Sequence, residues 1–271
     1  EVKMSKILIT GHMGWIGTNF TDLLDSWGIE WIGIDKLTGE DLLTDISYLK
    51  HKIFNCDVVV HLAGTPRIPG SWTDPDHYRN NNVGVTEQVA RICAEHKKYL
   101  IFASSSSIYG DGDGPLNPYS WTKLAGEQAI QMYGRSKNLK YTIARIFTNY
   151  GEEDPSGLVI GRWIHQKQNG HPITIRGNGE QSRDFIHVSD TAQALLSICI
   201  KRPDNQILDI GTGHSYKLKD IAELIGGEVV FEPELAGYAT HTKANVQHTN
   251  QHISWSPRYK LFDWIRSQVF K

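Results

Sequence analysis

From Lys6 to about Phe147 the chain repeats one unit: a short apolar run without internal alternation, a turn, then an amphipathic stretch of helical length. The runs are Ile7-Leu8-Ile9, Trp31-Ile32-Gly33-Ile34, Asp57 to Leu62, Tyr99 to Ala103 and Tyr141 to Phe147. The helical stretches are Gly14 to about Asp25, Asn82 to His96 and Ser120 to Lys137. Strands that are apolar on both faces must be covered on both faces. With a helix between consecutive strands, that requirement predicts an α/β fold, a Rossmann-type doubly wound parallel sheet. After about Gly151 the rhythm loosens. A helix near Leu158–Gln168 precedes a strand at Ile173-Thr174-Ile175 and a polar loop, Gly177-Asn178-Gly179-Glu180. A helix over about Asp190–Ile200, a strand at Ile207–Ile210 and a helix near Leu218–Ile225 follow.

Composition removes several function classes. Of 271 residues 39% are hydrophobic and 21% charged, enough apolar side chains for a substantial core. A formal net charge of -2 gives no polybasic signature for nucleic acid or anionic lipid. No run is apolar and long enough to cross a bilayer, and no signal-peptide pattern is present, so neither a membrane nor a nucleic-acid partner is expected. Cys56, Cys93 and Cys199 lie far apart with no metal spacing, which suits reduced thiols and a cytoplasmic location. Glu1-Val2-Lys3 reads as an addition ahead of Met4. His241, His248 and His252 have no carboxylate or thiolate motif beside them, so no metal is expected. Asp111-Gly112-Asp113-Gly114 is far shorter than an EF-hand and reads as a turn.

Gly11-His12-Met13-Gly14-Trp15-Ile16-Gly17 stands where the first strand becomes the first helix. Glycines so spaced permit a tight turn, close approach of backbone to a pyrophosphate and close helix–strand packing, while the helix N-terminus offers N–H groups to the phosphates. Asp35 ends the second strand 18 positions after Gly17, near the offset of a ribose-binding acid. A carboxylate there accepts from ribose hydroxyls and repels a 2′-phosphate, which favours NAD over NADP. We therefore expect an NAD-binding domain over residues 4–150. Residues 151–271 would form a smaller, partly discontinuous substrate-binding region, with some segments returning to the sheet.

Tyr119 and Lys123 are four residues apart, so in a helix they share a face. A nearby ammonium and a nicotinamide cation would stabilise a phenolate able to take a hydroxyl proton as a hydride leaves the same carbon. The preceding strand ends in Ser104-Ser105-Ser106-Ser107, hydroxyls at the carboxyl edge where open α/β sheets bind ligands.

Together the glycine turn, Asp35, His61-Leu62-Ala63-Gly64, Asn82-Val83, the serine run with Tyr109-Gly110 and the Tyr119/Lys123 pair resemble the extended short-chain dehydrogenase/reductase family. Within it the chain is most similar to NAD-dependent nucleotide-sugar epimerases and dehydratases, above all to UDP-glucose/UDP-galactose 4-epimerase-like proteins. The likeness continues through Arg145…Asn149-Tyr150-Gly151, Arg183-Asp184-Phe185-Ile186-His187-Val188, Asp209 to Gly213 and Trp255-Ser256-Pro257. The resemblance implies Tyr119 as general base, Lys123 as the group that lowers its pKa and holds the nicotinamide ribose, and Ser105 as hydrogen-bond partner of the reacting oxygen. It implies cofactor contacts at Gly11, Gly14, Trp15, Ile16, Gly17, Asp35, Leu62, Ala63, Gly64 and Asn82, the last of which could instead cap its helix. Substrate contacts would be Ser105, Ser106, Asn149 and Arg183. Arg183 would meet the substrate pyrophosphate, its alternative being an ion pair with Asp184 or Glu180. A homodimer through the helices after Asn82 and after Tyr119 is also implied.

Dehydratases of this kind place an Asp-Glu pair after the catalytic hydroxyl, and related decarboxylases keep the Glu; here those places are Ser106 and Ser107. That leaves 4-epimerisation of a nucleotide sugar as the expectation. The alternatives are net oxidation or reduction of a sugar or sugar nucleotide, or a noncatalytic NAD-binding regulator. Three positions depart from the family pattern. Thr148 replaces an asparagine, Leu235 stands where a second phosphate-binding arginine is expected, and the loop from Asp111 to Pro118 is short.

Overall fold

In the computed structural model, which describes residues 6–154 and 157–269, the non-alternating runs form one parallel sheet. Glu1-Val2-Lys3 and Met4 lie outside the described residues. The strands are β1 (Ile7–Thr10), β2 (Trp31–Ile34), β3 (Val58–His61), β4 (Tyr99–Ser105), β5 (Tyr141–Ile146), β6 (Thr148–Tyr150), β7 (Ile173–Arg176), β8 (Ser182–His187), β9 (Gln206–Ile210), β10 (Ser215–Lys217) and β11 (Val229–Glu232). The helices are α1 (Trp15–Ser26), α2 (Ile46–Phe54), α3 (Ile68–Thr73), α4 (Pro75–Tyr78), α5 (Val85–Glu95), α6 (Pro118–Lys137), α7 (Val159–Gln168), α8 (Val188–Lys201), α9 (Leu218–Ile225), α10 (Val246–Ile253) and α11 (Leu261–Val269).

The large sheet has the order β2-β1-β3-β4-β5-β9. The chain moves outward from β1 to β2, then returns across β1 to β3, so the connections diverge between β1 and β3. In open parallel sheets that divergence opens a ligand crevice at the carboxyl ends of the strands. Every residue of β1 and of β3 is buried, the signature of strands covered on both faces. One face packs Ile7, Ile9, Val58 and Val60 against Phe20 and Leu24 of α1 and Leu195 and Ile198 of α8. The other packs Leu8, Val59 and Leu100 against Leu49 and Ile53 of α2, Val89 and Ile92 of α5 and Ile130 of α6. A third apolar cluster, built on Trp163, Ile173, Ile175, Phe185, Ile221 and Ile265, lies under the later elements. There β8 pairs with β6 and β10, and β7 with β11, in two small sheets.

Two boundaries differ from the sequence expectation, each for a legible reason. The helix expected to begin near Asn82 is already under way at Pro75, which occupies the first turn of α4 while the Asp74 carboxylate accepts from the His77 N–H at 3.0 Å. Asn82 therefore caps nothing; it lies within a π-helical turn, Arg79–Gly84, that joins α4 to α5. The strand expected to end at Phe147 stops at Ile146; Phe147 still donates to the Ile210 carbonyl at 2.9 Å, and a separate strand, β6, starts at Thr148 and joins β8.

Candidate active site

The site begins at the turn between β1 and α1. Gly11 sits at φ +75°, and a Cβ there would lie 2.7 Å from the Ala63 nitrogen, so β1 and β3 can approach only because the residue is glycine. At Gly17 a Cβ would meet the Gly11 carbonyl oxygen at 2.4 Å, so α1 presses directly on the turn. No side chain caps α1, whose N-cap is Gly14, so no capping group consumes its first N–H groups. Asp35 follows β2; its carboxylate accepts from Met13 N at 3.0 Å and Leu37 N at 2.9 Å, tying the strand end to the glycine turn. These features fit a dinucleotide: a glycine cradle, an uncapped helix start and an acid at the ribose offset.

A cavity of about 800 Å³ runs from this turn toward the second group of sheets. Gly11, Gly14, Trp15, Ile16, Gly17, Leu62 and Gly64 line its first part, and Ser105, Ser106, Tyr119 and Lys123 its middle. Asn149, Arg183 and the departures Thr148 and Leu235 line it as well. Asp35, Ala63 and Asn82 do not line it. Asn82 is buried with its amide fully engaged: Oδ1 accepts from Thr65 N at 2.7 Å, while Nδ2 donates to the Thr65 carbonyl and to Thr122 Oγ1, both at 3.0 Å. It fixes the loop after β3 against α6, and so acts on the cavity wall through Gly64 and Thr65.

Helix α6 begins at Pro118, with Asn117 accepting from Ser120 N at 2.8 Å and donating to the Gly237 carbonyl at 2.7 Å. This cap sets the helix phase that turns both Tyr119 and Lys123 into the cavity. The Ser105 hydroxyl, at the end of β4, pairs with Ser107 Oγ at 2.9 Å and lines the cavity beside Tyr119. Burial holds the Tyr119 phenol above its ordinary pKa, and the Ser105 hydroxyl pulls it the other way. Tyr78 packs edge-on to the Tyr119 ring at 6.4 Å between centroids. Burial also brings Lys123 down to about 8, against the opposing pull of the Glu127 carboxylate. Its ammonium lies 4.6 Å from the centroid of Phe102. An uncharged tyrosine and a lysine near neutrality suit a proton-transfer site whose final charge state depends on what binds beside it.

Asn149 is buried, its Oδ1 accepting from Thr191 Oγ1 at 2.7 Å and its Nδ2 donating to the Phe147 carbonyl at 3.2 Å. Arg183 makes neither ion pair considered from sequence. Asp184 is fully buried and accepts from Thr212 N, Gly213 N and Ala244 N, while Glu180 pairs with Lys217 and Lys219. The Arg183 guanidinium instead donates to the Ser182 and Thr240 carbonyls at 2.8 and 3.0 Å.

Sequence reasoning missed a buried network behind the serine run. Glu127, 1% exposed, takes a two-pronged contact from Arg145 (Nε to Oε1 3.0 Å, Nη2 to Oε2 2.7 Å) and a 2.5 Å hydrogen bond from Ser104. Arg145 also donates to the Tyr109 hydroxyl at 2.8 Å, and Tyr109 donates to Asp209 at 2.7 Å. A signal was available, since Glu127 follows Lys123 by four residues and so shares its inward face. Beside it, His61 is held by the Thr10 and Thr86 hydroxyls at 2.7 and 3.0 Å, and burial lowers its pKa to about 3. Among the described residues lining the cavity the one carboxylate is Glu234, which acts on Arg183. Of the three histidines, His248 and His252 meet as tilted rings 4.4 Å apart and His241 contacts Ser182 Oγ at 2.9 Å.

Residues 7–211 match the family model described as the NAD dependent epimerase/dehydratase family. A protein of Bacillus subtilis described as an uncharacterized UDP-glucose epimerase, YtcB, is 29% identical, the alignment covering 97% of this chain and 96% of that one. Among solved structures, MoeE5 in complex with UDP-glucose and NAD superposes with a TM-score of 0.89 at 30% identity, covering 98% of this chain and 97% of that chain. The UDP-glucuronic acid 4-epimerase of Bacillus cereus, in complex with UDP-glucuronic acid and NAD, gives a TM-score of 0.85 at 28% identity, covering 98% of each chain.

Proposed function

Because this chain belongs to the NAD dependent epimerase/dehydratase family, we propose that it is an NAD-dependent 4-epimerase of a nucleotide sugar, a UDP-sugar by likeness to relatives whose complexes hold UDP-glucose or UDP-glucuronic acid. One observation carries this reading: Ser105, Tyr119 and Lys123 line one cavity with the glycine turn, the Ser105 hydroxyl acts on the Tyr119 phenol, and the nearby Glu127 carboxylate lies behind the wall and does not line it. Elimination of water or loss of CO2 by the family routes needs an acid at Ser106 or Ser107, and hydroxyls stand there.

Tyr119, as phenolate, takes the proton of the sugar C4 hydroxyl while Ser105 donates a hydrogen bond to the same oxygen. A bound nicotinamide would supply the hydride chemistry at C4, removal from one face and return to the other. Tyr119 then returns its proton to the oxygen, so the net reaction inverts C4 without consuming cofactor. Lys123 would supply positive charge and a donor for the nicotinamide ribose, Asp35 would accept from the adenosine ribose, and the α1 N-terminus and the Gly11–Gly17 backbone would hold the pyrophosphate. Ser106 and Asn149 contact the sugar, and Arg183 anchors the substrate diphosphate, leaving the hexose free to turn within the cavity. Residues up to about 150 serve the cofactor, and those from 151 onward mainly the substrate.

We place the homodimer contact on α5 and α6; on α6, Trp121 and Met132 are 49% and 45% exposed. The location we assign is cytoplasmic, supported by three buried cysteines that remain free thiols.

The Tyr119→Phe variant tests the reading. It should bind NAD as the parent does yet lose at least a hundredfold in turnover of a UDP-sugar. Turnover within threefold of the parent would remove Tyr119 from the chemistry.

A further inference from the structure

The sequence lacks an arginine at Leu235, so one half of the expected phosphate grip is missing, and Arg183 alone would face a doubly charged diphosphate. The structure brings two further guanidinium groups to the same end of the cavity. Arg162, in the first turns of α7, and Arg176, the last residue of β7, both line it together with Arg183, Leu235 and Tyr238.

Their placement comes from the fold. Ile173 and Ile175 turn into the apolar cluster, which by strand alternation sends Thr174 and Arg176 to the opposite face. The Thr174 carbonyl then accepts from Arg162 Nη2 at 3.3 Å, drawing the α7 arginine beside β7. Arg162 Nε is buried and has no hydrogen-bond partner, a donor left for something that enters the cavity. Tyr238 lies within the field of all three cations: burial raises its phenol, and Arg176, Arg162 and Arg183 each pull it back. Arg162 and Arg176 repel one another, and burial lowers the pKa of Arg162 further. Three carboxylates offset part of this charge, Glu232 acting on Arg162 and Arg176, and Asp111 and Glu234 on Arg183, yet none supplies a partner to Arg162 Nε. Glu232 touches Arg176 only at 3.4 Å on the exposed side, and Asp111 is engaged by the Thr240 N–H and hydroxyl. Like charges gathered in a half-buried place cost stability unless an anion joins them.

We propose that Arg162 and Arg176, with Arg183 and Tyr238, form the diphosphate clamp of this cavity, replacing the arginine absent at Leu235. The inference rests on the nucleotide-sugar reading above and deepens it. The reacting sugar carbon must sit by Ser105 and Tyr119, so the rest of a nucleotide sugar extends toward these arginines. The geometry thus assigns them to the diphosphate and leaves the sugar to the serine end. Binding is uniform through the reaction, because the diphosphate takes no part in it, so the arginines act on substrate affinity and not on the chemical step.

The test is calorimetric titration of the NAD-loaded protein with UDP, UMP and glucuronate. The parent should bind UDP at least tenfold more tightly than UMP and should not bind glucuronate measurably. Arg176→Gln and Arg162→Gln should each weaken UDP binding at least tenfold, leave the NAD affinity unchanged, and raise KM for a UDP-sugar with kcat within about twofold. Introducing Leu235→Arg into Arg162→Gln should recover part of the lost UDP affinity. Arg176 is exposed at the end of its strand, so its variant folds even where Arg162→Gln does not. UDP affinity unchanged within twofold in Arg176→Gln overturns the clamp, as does glucuronate binding that disappears with Arg176. UDP binding does not require turnover. A protein that epimerises nothing but loses UDP on these substitutions keeps the clamp and loses the function; one that epimerises UDP-sugars with UDP affinity unmoved does the reverse.

Discussion

Replacing Glu127 by glutamine tests whether the network behind the serine run supports the site. Glu127 is 1% exposed and Arg145 17% exposed, so the pair is screened little by solvent. In Glu127→Gln the amide oxygen can keep one contact, but the amide NH2 would face the Arg145 Nη2 donor now 2.7 Å away, leaving a part-buried guanidinium uncompensated. Breaking a buried pair from one side costs about 3–5 kcal/mol. For a chain of this size each kcal/mol lowers Tm by about 2–4 °C, so a fall of roughly 6–20 °C is expected. The second consequence is electrostatic. The Glu127 carboxylate raises the Lys123 pKa, which burial has brought down to about 8, so its removal lets that pKa fall further. If turnover needs the ammonium, activity is lost as pH rises through the Lys123 pKa, and the alkaline limb of kcat/KM should move to lower pH in the variant. Thermal denaturation and a pH–rate profile on the same preparations give both numbers. A Tm within 2 °C of the parent together with an unmoved alkaline limb would refute the reasoning.

Gly17→Ala should abolish NAD binding, because its Cβ would lie 2.4 Å from the Gly11 carbonyl and 2.6 Å from that of His12, backbone atoms that can yield only by opening the turn; NAD affinity within threefold of the parent, by calorimetry, would contradict this. His61 is neutral in the fold, with its pKa lowered to about 3, while the unfolded chain's imidazole takes a proton near 6.5. Between those values the unfolded state binds more protons, so stability is lost as pH falls. The His61 share should amount to about 2–3 kcal/mol between about pH 7 and pH 4.5. In His61→Gln the urea-unfolding free energy should fall less steeply over that window, and an identical slope would dismiss the assignment.

The early half of the fold was legible because its strands are uniformly apolar. Ile7-Leu8-Ile9 and Val58-Val59-Val60 can be satisfied only when both faces are covered, and glycines at 11, 14 and 17 mark the turn between strand and helix. Tyr119 and Lys123 were legible for a similar reason, since a four-residue spacing fixes a shared helix face. Less was visible where contacts are distant in sequence. Glu127 and Arg145 meet from different elements, and Arg162, Arg176 and Arg183 converge only after α7, β7 and β8 have packed. The start of α4 carried a local signal, Asp74 followed by Pro75, that apolar periodicity alone passes over. Asn82, expected as a cofactor contact, lies in a π-helical turn behind the cavity wall, its amide engaged by Thr65 and Thr122, which no sequence pattern displays.

The central claim is tested most directly by incubating the NAD-loaded protein with UDP-glucose and, separately, UDP-glucuronic acid, following the C4 proton by NMR while recording the absorbance of reduced nicotinamide. The account predicts conversion of at least one of them to its C4 epimer with no accumulation of NADH. Stoichiometric NADH with a keto or acid product, or no change in either sugar, would contradict it.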